Sequence, residues 1–242
     1  MKRNSLPCRD GFFMPAEFSP HHGCLMIWPH RPGSWPFGAK KAREAFTKLA
    51  QAIALTEKVY MLAEPELAEG ARLALGPSIE VIPLESNDAW SRDTGPTFVV
   101  DGKGGLRGVN WRFNAWGGSA DGLYSHWEKD DALAPAFCQK LGLDWYDAAP
   151  FVLEGGSIHT DGEGTLLTTE SCLLSPGRNP DLSREGIEEK LRNIWAFKRS
   201  SGCPGAFTTT RPTSMWTMCA HLCARVRWFW PGPTTNQTPS IL

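Results

Sequence analysis

Three short loops hold residue types that could do chemistry together. Asn87–Pro96 reads "NDAWSRDTGP" and sets Asp88, Arg92 and Asp93 around Trp90 at the end of an apolar run. Carboxylates beside an aromatic ring make a receptor for a planar cation, because the carboxylates accept its N–H groups and the ring covers its face. A solvated turn with an Arg–Asp surface pair is the plainer reading of the same letters. Asn110–Asp121, "NWRFNAWGGSAD", alternates Trp111, Phe113 and Trp116 with polar residues before a Gly-Gly turn, as a half-buried aromatic strand also would. Val152–Asp161, "VLEGGSIHTD", places Glu154 after three apolar residues. A carboxylate ending a buried strand is costly unless it is paired or functional; capping by the next turn's amides is the structural alternative. His159 has no second His or Cys at ligand spacing and reads as a structural hydrogen-bonding partner. A fourth cluster, Cys203, Cys219, His221 and Cys223, offers zinc-ligand types, but at irregular spacing.

Alternating elements must position these loops. "CLMIW" (24–28) reads as a buried strand, 39–55 as an amphipathic helix, "KVYMLA" as a strand and 66–75 as a second helix. "SIEVIPLES" is a strand entering the first loop, and 97–111 is a hairpin turning at Asp101–Gly105. Residues 129–142 read as a helix with an acidic start and Gly142 at its end, 150–170 as strand, turn, strand, and "SREGIEEKLRN" as a helix capped by Ser183. The order argues for an α/β protein of small repeated units.

The 242 residues carry a net charge of -1, with 41% hydrophobic and 21% charged side chains, ordinary for a globular chain. That balance gives no pull toward nucleic acid or anionic membrane. No apolar run is long enough to span a bilayer, and the N-terminus lacks an apolar signal-peptide core. Seven unevenly spaced cysteines indicate reduced thiols. The expected location is the cytoplasm. The average conceals a break: from Asn193 onward there is no Asp or Glu, five Lys or Arg and four Trp, whereas the first 192 residues have a net charge of -6.

Taken together, "MPAEFSPHHG", "NDAWSRDTGPTFVV", "FNAWGG" and "FVLEGGSIHTDGEGTLLTTESCLLSPGRNP" resemble agmatine deiminase, in the guanidino-modifying superfamily that includes bacterial peptidyl-arginine deiminases. The resemblance runs from about Met14 to Arg192. It implies an α/β propeller of five repeated units (a pentein), of which residues 1–192 form an incomplete part. It also implies hydrolysis of agmatine to N-carbamoylputrescine and ammonia in polyamine synthesis, without metal or organic cofactor. In that chemistry a cysteine thiolate attacks the guanidinium carbon, and a histidine assisted by a glutamate moves protons. By motif, Asp93 matches a guanidinium-binding aspartate and Glu154 the glutamate. Asp88, Trp90, Arg92 and Trp116 complete the expected substrate-binding set. Agmatine is the implied partner, and a homo-oligomer is possible for the full-length family.

The family's "ET..HVD" and "GGGNIHC" segments, with the histidine, second aspartate and nucleophile, do not occur in the 242 residues. The genetic code suggests why. Read one base upstream, the unique Trp and Met codons and the AC start of Thr codons turn "MWT" (215–217) into Val-Asp, and the residue before them is allowed to be His. "IWAFK" and "SGCPG" similarly allow Leu-Gly-Val-Gln and Trp-Leu-Pro-Arg, as the family has. The expectation is that residues 193–242 are out-of-frame translation, disordered, and that the chain is inactive. Cys8, Cys24, Cys138 and Cys172 match no family nucleophile. The other readings are an inactive guanidino-binding fragment, a peptidyl-arginine deiminase, and a tail that binds zinc or nucleic acid.

Overall fold

A computed structural model describes residues 1–195. In chain order they form β1 (Lys2–Arg3), β2 (Cys24–Ile27), α1 (Lys40–Ile53), β3 (Val59–Ala63), α2 (Ala68–Leu75) and β4 (Glu80–Pro83). Then come α3 (Ser91–Thr94), β5 (Thr97–Val100), β6 (Leu106–Arg112), α4 (Gly118–Asp121), α5 (Glu128–Lys140) and β7 (Asp144–Val152). The last are β8 (His159–Thr160), β9 (Leu166–Leu167), α6 (Glu170–Leu173) and α7 (Arg184–Trp195).

Strands β2, β3 and β4 pair in parallel, in that order. Their sequences are nearly all apolar because both faces are buried, which parallel sheets require. Met26, Val59, Met61 and Val81 pack toward α1 and α2, against Ala50, Ala71 and Leu75. Ile27, Leu62 and Ile82 pack the other way, against Leu133 and Phe137 of α5.

The second sheet runs β1-β7-β6-β5. β5 and β6 form the expected antiparallel hairpin, while β6 and β7 are parallel and joined through α5. Val99, Val109, Trp111, Tyr146 and Leu153 pack on Ile187 and Leu191 of α7. That helix starts as its sequence predicts, with the Gly186 amide donating to Ser183 Oγ at 3.2 Å.

One strand starts earlier than its letters suggest. β7 begins at Asp144, not at Pro150, because its charged residues serve the chain's first residues. Lys2 Nζ donates to Asp147 at 2.7 Å, and Asp144 accepts from the N-terminal amine at 2.7 Å and from the Arg3 guanidinium. The other elements named from the sequence fall where expected, while β1, α3, α4 and α6 are short elements the sequence does not announce. Residues 193–242, read as an out-of-frame segment, and the Cys203–Cys223 cluster lie almost wholly outside the described residues. No described helix is long and apolar enough to cross a membrane.

Candidate active site

All three loops leave the C-terminal ends of strands. The first follows β4, the second follows β6, and the third follows β7. Parallel sheets gather such ends on one side, so residues far apart in sequence converge there.

Asp93 and Glu154 are brought together by hydrogen bonds between side chains of α3 and the backbone of the turn after β7. The Gly156 amide donates to Asp93 Oδ1 at 2.9 Å, and Arg92 Nε donates to the Gly155 carbonyl at 3.0 Å. The two glycines are required by this approach: a Cβ on Gly155 would strike the Arg92 carbonyl, and one on Gly156 would strike the Asp93 carboxylate. The turn is closed by the Ser157 hydroxyl and amide, both donating to the Glu154 carbonyl, at 2.7 and 2.9 Å.

Glu154 is almost fully buried, 2% exposed. Burial pushes its carboxyl above the usual carboxylate range, and the negative charge of Asp93 adds to this. Arg178 opposes both, donating from Nε to Glu154 Oε1 at 3.1 Å. Burial raises Asp93 too, against the Gly156 amide, the charge of Arg92 and a hydrogen bond with the Trp116 indole. Two neighbouring carboxylates held above their ordinary range form a site poised to accept a cation or to carry a proton.

Aromatic rings border the pair. Trp116 lies edge-on to Trp90 (ring centroids 5.6 Å apart), Phe113 (5.1 Å) and Tyr124 (6.0 Å), and Trp90 also meets Trp35 at 6.0 Å. Trp90 is the most open of these predicted site residues among the aromatics, at 36% exposure. Trp116 is delivered by a strained turn, with Ala115 and Trp116 both left-handed at φ 55° and 65°. Such conformations in non-glycine residues persist only where the surroundings impose them.

Asp88 stands apart from this pair. It is fully buried; Oδ1 accepts from Trp35 Nε1 and the Ala89 amide, both at 2.8 Å, and Oδ2 from the Ser34 hydroxyl. Its contact with the site runs through Trp35, which touches Trp90. Arg92 forms no surface pair with an aspartate. Its two Nη atoms donate to Glu17 at 3.0 and 2.9 Å. His159 differs from its reading as a hydrogen-bonding partner: it pairs with Leu167 across β8 and β9, and its imidazole makes no hydrogen bond among the described residues. Arg178, in the "SPGRNP" run, was not singled out by sequence; only its place next to an asparagine and two prolines hinted at a fixed turn.

Among the described residues no group of three or more His, Cys, Asp and Glu is placed to hold a metal. Cys138 is buried, and burial pushes its thiol up to about 12, so it is not a thiolate at neutral pH.

Residues 13–209 match the family described as Porphyromonas-type peptidyl-arginine deiminase. A curated protein of Selenomonas ruminantium, named as a candidate agmatine deiminase, is 51% identical over 195 residues, covering 79% of this chain and 53% of that protein. The solved agmatine deiminase of Enterococcus faecalis is 49% identical with a TM-score of 0.79, over 81% of this chain and 54% of the other. A candidate arginine deiminase structure from Porphyromonas gingivalis matches at 29% identity and a TM-score of 0.65, over 78% of this chain and 56% of that one. The chain thus spans about half the length of the curated relatives it matches, and shares the mixed α/β fold of these deiminases. On its sequence and its fold alike, the chain belongs to the Porphyromonas-type peptidyl-arginine deiminase family.

Proposed function

We propose that residues 1–192 carry the guanidinium-binding part of an agmatine deiminase. The observation that carries this reading is the buried Asp93–Glu154 pair, joined loop to loop and bordered by Trp90 and Trp116. Asp93 accepts guanidinium N–H groups, Glu154 holds the proton that a partner histidine exchanges, and Trp90 and Trp116 flank the ligand. Asp88 supports the site through Trp35, and Arg92 by fixing the turn that carries Glu154. In the complete enzyme a cysteine thiolate attacks the guanidinium carbon, ammonia leaves, and water hydrolyses the amidino-cysteine to release N-carbamoylputrescine. The sheets read as blades of a partial five-bladed propeller, each supplying loops from its strand ends to one site.

The tail is the second part of the proposal. Residues 193–242 are an out-of-frame continuation, and the 242-residue chain is therefore inactive. Its lack of acidic residues and the absence of "HVD" support this. The family match runs past Arg192 but ends at residue 209. Sequencing the locus tests it: no "GGGNIHC" in any downstream frame would sink the idea. The purified chain is expected to release no N-carbamoylputrescine, and measurable product would overturn the inactive reading.

Calorimetry with agmatine tests binding. Saturable heat that disappears in Asp93→Asn supports the reading. The matched family's own description favours a second one, a peptidyl-arginine deiminase. Heat with an arginine-terminated peptide and none with agmatine would favour it instead.

A further inference from the structure

The site contains a built-in guanidinium. Arg178 has only 11% of its side chain exposed, and Glu154, its partner, 3%. Nε reaches Glu154 Oε1 at 3.1 Å, and Nη1 donates to Ser175 Oγ at 3.3 Å. A buried arginine is stable only where its neighbours fix its geometry and its charge is matched.

The backbone around Arg178 is fixed from two directions. Asn179 makes a two-way amide pair with Val152: the Val152 amide donates to Oδ1 at 3.0 Å, and Nδ2 donates to the Val152 carbonyl at 2.9 Å. Asn179 thereby extends the edge of β7 and puts Arg178 beside Glu154. On the other side, Asn114 Nδ2 donates to the Gly177 carbonyl at 2.7 Å. A Cβ on Gly177 would collide with Asp121 and the Gly117 carbonyl, so this turn is packed against the strained loop that presents Trp116. One residue is thus linked to both the Glu154 and the Trp116 loops.

We infer that Arg178 is a further positioning residue of this site: it holds the Glu154 carboxylate in place and offsets one of the two negative charges of Asp93 and Glu154. The ionised pair then presents one net negative charge, which suits a ligand with a single guanidinium cation. The inference rests on the reading of Glu154 as the proton-handling group. The charged groups facing Glu154 are Arg178, from the turn before α7, and Asp93, from α3, whose neighbour Arg92 points outward to Glu17.

The test is a carboxyl-carbon NMR titration of the 242-residue chain without ligand, with the Glu154 signal assigned by its loss in Glu154→Gln. In Arg178→Gln the Glu154 midpoint is expected to rise by about one pH unit or more, the usual effect of losing an adjacent opposite charge. Asp144, at the opposite end of β7 from Glu154, is expected to stay in place. An unchanged Glu154 midpoint in a folded Arg178→Gln chain overturns the inference. Should that variant not fold, the wild-type chain carries the test. The Arg178 Nε–H resonance is expected to shift with the same midpoint as the Glu154 carboxyl, and a resonance that does not move through that midpoint overturns the inference. No step requires agmatine, so failure of agmatine to bind would count against the proposed function alone.

Discussion

Two buried carboxylate pairs lie within this chain, and they are built in opposite ways. Behind the site, Asp88 and Asp130 are both fully buried. Asp130 Oδ1 accepts from the Asn87 amide at 2.7 Å and the Asp88 amide at 3.3 Å, and Oδ2 accepts from the Tyr124 hydroxyl. With the Trp35, Ser34 and Ala89 donors on Asp88, every oxygen of this pair has a protein partner. Asp93 and Glu154 have fewer: one amide and an indole for the first, one guanidinium and its own amide for the second. Burial alone therefore does not mark a functional carboxylate. The saturated pair is structural, and the under-supplied pair retains acceptor capacity for a ligand.

Removing an acid from the saturated pair gives the largest expected effect. Asp88→Ala strands a buried indole N–H, an amide and a hydroxyl at once, and is expected to lower the unfolding free energy by about 3 kcal/mol. Urea unfolding of the purified chain reads this directly. A loss below about 1 kcal/mol would break the contrast between the two pairs.

The under-supplied pair responds through affinity. Asp93→Asn keeps the shape and removes the charge, and is expected to weaken agmatine binding about a hundredfold, since a buried charged hydrogen bond lost from one side costs about 2–3 kcal/mol. Calorimetry measures it. A similar weakening in a folded Asp88 variant would show that both pairs touch the ligand.

Legibility from sequence follows the range of the contacts. The α1 helix, the hairpin at Asp101–Gly105 and the Ser183 cap depend on neighbours in the chain and match the sequence, except that Leu49 of the α1 apolar stripe stays half exposed. The start of β7 was missed because Asp144 and Asp147 find their partners at Met1, Lys2 and Arg3, more than 140 residues away in sequence. Site residues divide the same way. Asp88 looked like a cation receptor beside Trp90, and nothing local announced that Ser34 and Trp35 would occupy it. Asp93 and Glu154 were matched by motif, but the glycines that bring them together, and Arg178 between two prolines, gain meaning only from contacts across the fold.

The site pair also couples the fold to pH, and burial raises the Asp130 carboxyl in the same direction. Asp93 and Glu154 titrate above their ordinary values when folded. A carboxyl with a raised folded-state pKa favours the fold below its unfolded pKa, and that contribution is lost as pH rises through the folded value. Asp93→Asn, which leaves the buried Arg178–Glu154 pair intact, is accordingly expected to be more stable than the parent near pH 7, with the gain gone near pH 4. Asp10, Asp144 and Asp147 are lowered instead, so what they contribute is present above their unfolded values and lost as pH falls through the folded ones. Agmatine binding should follow the site pair, weakening as mild acid protonates it. Unfolding curves at pH 4 and pH 7 test the sign, and an Asp93→Asn chain that is destabilised at both would reverse it.

The smallest expected effect lies at the rim. Arg92 meets Glu17 through two hydrogen bonds, at 3.0 and 2.9 Å, a geometry that suggests strength. Both side chains are nevertheless open to water, 44% and 55% exposed. Solvent screens such a pair and restores the hydration of either member when the other is removed, so exposed pairs contribute about 0–1 kcal/mol. The inner contact of Arg92, from Nε to the Gly155 carbonyl, is the one that fixes the Glu154 turn, and it survives loss of Glu17. Glu17→Ala is therefore expected to change unfolding free energy by less than about 1 kcal/mol and to leave agmatine affinity within about twofold. Arg92→Ala, which removes both contacts, should weaken affinity more than Glu17→Ala does. Equal losses from the two variants would mean that the outer pair, not the inner bond, positions Glu154.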